Sequence, residues 1–92
     1  MERECVRKLK DGKMAKVRLI IEDGVIKDVK ITGDFFAHPE DGIEIIEKEL
    51  IGKELYSARQ AIESASGGIA LVGLHVEDLI AMVQECLDGS MG

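Results

Sequence analysis

The chain has 92 residues, 46% of them apolar and 33% charged, and a formal net charge of −6. At this length one domain is expected, 1–92, burying about 60–65% of its unfolded surface and leaving little volume for a deep small-molecule pocket. Periodic apolar positions argue against disorder, and the longest uncharged apolar run, Ile69 to Leu74, falls far short of the roughly 20 residues that cross a bilayer.

Met1 is followed at once by Glu2, Arg3 and Glu4, so no signal peptide is expected. Two cysteines, Cys5 and Cys86, make no disulfide framework, and a reducing cytoplasm is the expected compartment. The charge is split along the chain. Residues 1–33 hold nine bases and six acids, a net of +3, and residues 34–92 hold three bases and twelve acids, a net of −9. Such a chain is electrically two-sided. Nucleic acid is a poor partner for it, because the basic third has no aromatic residue to stack on bases. The basic segment reads either as a steering face or as lysines that keep a sheet soluble and block its edges.

Three strands are predicted first, at about 3–10, 13–22 and 25–32. The tripeptides Lys10-Asp11-Gly12 and Glu22-Asp23-Gly24 separate them. Read as three-residue loops, a type I turn followed by a left-handed Gly, they set Cys5 opposite Val17, Arg7 opposite Ala15, Val17 opposite Val29 and Ile21 opposite Val25. A two-residue Asp-Gly loop at the second turn sets Leu19 against Asp28 and Val17 against Lys30, which buries less apolar surface. The inner face then carries Cys5, Leu9, Ala15, Val17, Leu19, Ile21, Val25, Val29 and Ile31. The outer face carries Glu4, Val6, Lys8, Lys16, Arg18, Ile20, Ile26, Asp28 and Lys30. Ile20 and Ile26 become cross-strand neighbours on the outer face, either scattered apolar surface or the seed of a contact patch.

Gly33-Asp34-Phe35-Phe36 follows. Gly33 leaves the sheet and Asp34 is suited to bond the exit turn. The adjacent phenylalanines cannot point the same way, so one enters the core and the other covers the loop or a partner. His38-Pro39 is read as a helix start with Glu40 and Asp41 near its positive end. Ile43, Ile46 and Leu50 form its inward stripe, and Gly52 its end. Ser57 and Gln60 have capping-box spacing and open a second helix, broken at Gly67-Gly68. A third helix runs from about Val76 to Leu87, and residues 89–92 form a flexible tail. The predicted class is α+β, a three-stranded antiparallel meander with about three helices on one face.

The chain carries few chemistry-bearing motifs. Neither Gly12-Lys13 nor Gly52-Lys53 has the upstream Gly or the following hydroxyl of a phosphate loop. There is no C-x-x-C and no H-x₃-H spacing, so no metal site is expected. Cys5 and Cys86 read as small buried hydrophobes. His38 and His75 have no nucleophile or orienting group beside them in sequence. Glu44, Glu47 and Glu49 read as a solvated helix face. No catalytic and no cofactor-binding residue is assigned.

The ordered set Gly12-Lys13-Met14, Val17 to Ile21, Glu22-Asp23-Gly24, Val25 to Ile31, Gly33-Asp34-Phe35-Phe36 and Glu47 to Leu50 before Gly52 resembles the C-terminal accessory domain of lipoate–protein ligases, from residue 3 to about 87. The resemblance implies a fold similar to the small iron–sulfur scaffold proteins. It also implies a non-catalytic subunit of a two-part ligase, cytoplasmic, forming a heterodimer with a separate catalytic subunit that holds ATP and lipoate. That ligase activates lipoate to lipoyl-AMP and passes the lipoyl group to a carrier-domain lysine. Residues expected at the partner interface are Asp34, Phe35, Phe36, Lys16, Arg18, Ile20 and Ile26. Three rivals stand beside this reading: an iron–sulfur or sulfur-transfer scaffold, which needs exposed reactive cysteines; a stand-alone enzyme, which would have to work with no recognisable nucleophile–base pair; and a generic interaction module.

Overall fold

The computed structural model describes residues 1–9 and 13–88. The Lys10-Asp11-Gly12 turn and the 89–92 tail lie outside them. Strands β1 (Glu2–Lys8), β2 (Met14–Glu22) and β3 (Val25–Gly33) form an antiparallel sheet in the order β1-β2-β3. A small second sheet pairs β4 (Phe36–His38) with β5 (Ala70–Val72). Helices α1 (Gly42–Leu50), α2 (Leu55–Ser66) and α3 (Val76–Asp88) complete the α+β fold. The helices bury one face of the large sheet, and the other face is open. Among the described residues no helix is long and apolar enough to cross a membrane.

The β1–β2 register is the one expected, with Cys5 opposite Val17 and Arg7 opposite Ala15. The β2–β3 hairpin differs. Its loop has two residues, Asp23 at φ 55° and Gly24 at φ 75°, with Glu22 opposite Val25 and Ile21 opposite Ile26. Two successive positive φ values suit a type I′ turn, whose twist matches that of the flanking strands. The register then shifts by one residue between Ile20 and Ile21, so that Leu19 faces Val29 and Val17 faces Ile31. A β-bulge takes up Lys27 as the extra residue. The turn is tighter than expected, and the ladder beyond the bulge still pairs apolar residues but two positions from the expected register, with Val17 facing Ile31 where Val29 was expected.

This bulge corrects the placement of Ile26. Expected on the outer face, its side chain is fully buried in the core. Ile21 and Val25, expected on the inner face, are half-buried. The backbone of Ile26 is occupied on the sheet edge: its N–H donates to the Lys53 carbonyl at 3.0 Å, and its own carbonyl accepts the Gly52 N–H at 2.7 Å. Farther along the same edge, the Ile31 N–H donates to Glu47 Oε2 at 2.7 Å. Glu47 is therefore not part of a freely solvated face. It is half-buried and satisfies a strand amide that has no neighbouring strand.

Two helix starts are also corrected. His38 belongs to β4, Pro39 lies in the turn after it, and α1 begins at Gly42. The start is fixed by close packing, because a Cβ on Gly42 would come within 2.7 Å of Ile69 Cγ2 and 3.1 Å of Ala37 Cβ. Ser57 lies inside the first turn of α2, which is preceded by Glu54 without a side-chain cap, so the Ser57/Gln60 capping box does not form. Helix α3 matches its predicted span, and Leu79, Ile80, Met82, Val83 and Cys86 are buried as its apolar face requires.

Cys5 and Cys86 are buried as expected, but they are not independent hydrophobes. They form a disulfide between β1 and α3, with Cα atoms 5.9 Å apart. That distance lies within the range a disulfide spans without backbone movement. The pairing removes the argument that unpaired cysteines indicate a reducing compartment. Two arginines of β1 flank it. Arg3 Nη1 donates to the carbonyls of Cys86 at 3.1 Å and Leu87 at 3.0 Å, satisfying acceptors in a last turn that has no basic residue of its own. Arg7 Nη2 donates to Glu85 Oε1 at 2.8 Å, with Asp78 Oδ1 3.9 Å from Nη1.

Candidate functional site

The corner after β3 is built on Gly33. Its φ is +155°, and a Cβ there would lie 2.4 Å from the Met14 carbonyl oxygen and 2.7 Å from Phe35 Cε1. Asp34 then closes a reciprocal pair with the start of β2: its N–H donates to the Met14 carbonyl at 3.0 Å, and its Oδ2 accepts the Met14 N–H at 3.2 Å. With the corner fixed, the two phenylalanines diverge. Phe35 packs against the core, and Phe36 is 70% exposed.

Phe36 opens β4 and pairs across the small sheet with Val72, itself 52% exposed. Ala37, on the other face of β4, is buried. Gly73 follows at φ +91°, and a Cβ there would lie 3.3 Å from the Asp34 carbonyl oxygen and 3.4 Å from Lys13 Nζ. Three segments far apart in sequence thus meet at one end of the molecule: Lys13–Met14, Gly33–Phe36 and Val72–Gly73. Val72 and Gly73 were not singled out from the sequence. The available signal was the apolar stretch Ile69 to Val72 between Gly68 and Gly73, short enough to read as a strand.

The other predicted interface residues lie on the open face of the large sheet. Its cross-strand rows are Glu2, Ile20 and Asp28; then Glu4, Arg18 and Lys30; then Val6, Lys16 and Thr32; then Lys8 and Met14. Four bases less three acids leave these rows at +1. Lys16 Nζ is 3.3 Å from Glu4 Oε2, and Arg18 pairs with Glu2. The hydrogen bond that Arg18 donates to Glu2, and then the Glu2 charge, raise the Arg18 pKa above its ordinary value, so the guanidinium is held charged. Arg18, Ile20, Asp28 and Lys30 line a shallow depression. The open face is therefore close to neutral, with Lys16 and Arg18 each paired to an acid of β1. Much of the remaining basic excess, Arg3 and Arg7, is spent on α3. Ile26, buried, drops out of the candidate interface.

His38 in β4 and His75 before α3 are both exposed. The scaffold reading requires exposed, reactive cysteines; Cys5 and Cys86 are 6% and 1% exposed and bonded to each other.

Comparison with known proteins addresses the same segments. The chain is 35% identical over 74 residues to lipoate-protein ligase A subunit 2 of Thermoplasma acidophilum, covering 79% of this chain and 78% of that protein. Its fold superposes with a TM-score of 0.76 and 29% identity on a chain from a solved archaeal lipoylation system, a bi-partite lipoate protein ligase and its E2 lipoyl domain from Thermoplasma acidophilum. That match covers 90% of this chain and 97% of the other. The family model described as the bacterial lipoate protein ligase C-terminus matches residues 4–83, from β1 into α3, and the chain belongs to this family.

Proposed function

We propose that this chain is the non-catalytic accessory subunit of a two-part lipoate–protein ligase. In this reading a separate catalytic subunit binds ATP and lipoate and forms lipoyl-AMP, and the present chain docks on it as a cytoplasmic heterodimer. The observation that carries the reading is the match in fold over 90% of this chain to a chain of a bi-partite ligase system.

The proposed mechanism is physical cover. Lipoyl-AMP is a mixed anhydride, which hydrolyses when water reaches it. A rigid domain docked over the site excludes water and orders the catalytic subunit's loops. The proposed docking element is the exposed Phe36–Val72 pair, because its backbone is held by the Asp34–Met14 bonds and by the β4–β5 ladder. A pre-ordered aromatic side chain loses little conformational entropy on contact and supplies much of the buried area. Lys16, Arg18 and Ile20 form the competing surface, but docking there requires their in-sheet ion pairs to be desolvated or exchanged.

The test is co-purification with a candidate catalytic subunit, followed by an ATP–lipoate adenylation assay with and without this chain. A stable complex and adenylation dependent on this chain are expected. Equal adenylation with and without it, or absence of a complex, overturns the proposal. Charge reversal at Lys16 and Arg18 that abolishes the complex transfers the docking role to the open sheet face.

A further inference from the structure

The β1–α3 seam uses alternate residues of one strand. Arg3 and Cys5 reach the last turn of α3, where they meet the Cys86 and Leu87 carbonyls and the Cys86 sulfur, and Arg7 lies against the Glu85 carboxylate, with that of Asp78 in the first turn 3.9 Å away. The arginine contacts bring the strand and helix into register whether or not the sulfurs are joined. We propose that Cys5–Cys86 is a redox-responsive clasp that sets the stability of this subunit without altering its fold.

The bond joins residues 81 apart, so it closes nearly the whole chain into one loop. Cross-linking so long a loop acts mainly by restricting the unfolded chain, and the loop-closure relation gives an unfolding constant about a thousandfold smaller for the bridged form. The folded reduced form keeps its core, because α3 buries Leu79, Ile80, Met82 and Val83 independently of sulfur chemistry. The two arginine contacts also persist.

The oxidant we name is a low-molecular-weight disulfide such as oxidised glutathione. A Cys5 thiolate attacks one glutathione sulfur and expels a glutathione thiolate. The Cys86 thiolate then attacks the Cys5 side of the mixed disulfide and expels the second. Two protein thiols are oxidised, one small disulfide is reduced to two thiols, and the two cysteine protons pass to solvent or to the departing thiolates. Cys5 takes the first step because it is the more accessible, at 6% against 1% exposed. Both values are low, so exchange in either direction proceeds through opening of the seam, and the finished bond is shielded from reductants while the protein is folded.

The full-length chain is prepared in both redox states, with oxidised glutathione or with dithiothreitol through a cycle of unfolding and refolding. Alkylation under denaturing conditions, read by mass, should add no groups to the first preparation and two to the second. Far-ultraviolet circular dichroism should be the same for both, while urea titration should show the unfolding constant about a thousandfold larger in the reduced form. Dithiothreitol added to the oxidised protein should reduce it much more slowly in native buffer than in urea. A Cys5→Ala/Cys86→Ala variant should behave as the reduced form. Two free thiols after glutathione treatment, coincident urea midpoints, or a reduced form that has lost its helical spectrum would each overturn the proposal.

Discussion

Ile20 and Ile26 show how one residue of bulge reverses the meaning of a side chain. A strict period-two reading of 25–32 places Ile26 on the open face beside Ile20. In the structure Ile26 is fully buried and Ile20 is half-buried. Asp23-Gly24 was read as the end of a three-residue loop, and the two-residue turn was set aside because an unbroken ladder from it pairs Leu19 with Asp28. What the sequence did not show is that a bulge would make this turn compatible with the apolar register, since bulges leave little mark in composition. Ile26→Ala should therefore destabilise the fold by about 2–5 kcal/mol, the range for emptying a packed site, while Ile20→Ala should cost less than about 1 kcal/mol. Urea unfolding of the two variants checks this, and equal losses would return Ile26 to the surface. Gly33, by contrast, was legible as the exit from the sheet, but the reason is local: a Cβ would lie 2.4 Å from the Met14 carbonyl oxygen. Gly33→Ala should cost at least about 2 kcal/mol by the same measurement, from strain and displacement of the Asp34–Met14 pair.

At the scale of elements, the long strands and helices were legible because seven or more residues carry enough periodicity to reveal a buried face. Strands β4 and β5 have three residues each, too few for alternation to separate from loop. The turn that begins at Pro39 likewise mimics a helix start, with proline followed by acids, although the helix itself waits until Gly42. The edge of β3 was hidden for a different reason. Its cover is a side chain from α1, Glu47, together with backbone from residues 52 and 53. A glutamate on a helix gives no sign in sequence that it will meet a strand amide. Glu47→Ala leaves the Ile31 N–H without that acceptor and should destabilise the fold by about 1–3 kcal/mol. Glu47→Gln, which keeps a side-chain carbonyl oxygen in place, should recover most of the loss. Hydrogen exchange at the Ile31 amide gives a direct reading, faster in the alanine variant and near the parent rate in the glutamine variant. Unchanged exchange in Glu47→Ala would mean that water serves this amide equally well.

At the scale of the molecule, strand direction separates two ends. Chain reversals place Phe36 just beyond the Gly33 end of β3, whereas Tyr56 lies in the first turn of α2, three residues after Lys53, whose carbonyl is bonded to Ile26 at the opposite end. Both aromatics are well exposed, at 70% and 89%. Sequence singled out Phe36 through its neighbours but could not show that Lys13, Gly73 and Val72 would join it, because only the topology brings those three segments together. The difference between the ends lies in their support. Phe36 is on a hydrogen-bonded strand opposite an apolar partner, Val72, and beside a glycine-built corner. If that end docks the catalytic subunit, Phe36→Ser should weaken capture by tenfold or more, in the range for a truncated aromatic anchor. It should leave the melting temperature within about 2 °C, as expected for an exposed position. Tyr56→Ser should change neither quantity. Immobilised catalytic subunit, with binding read by surface resonance and melting read by calorimetry, separates the cases. Loss of capture in the Tyr56 variant alone would place the interface at the far end of the sheet, and a parallel fall in stability for Phe36→Ser would show that its side chain supports the fold instead of the complex.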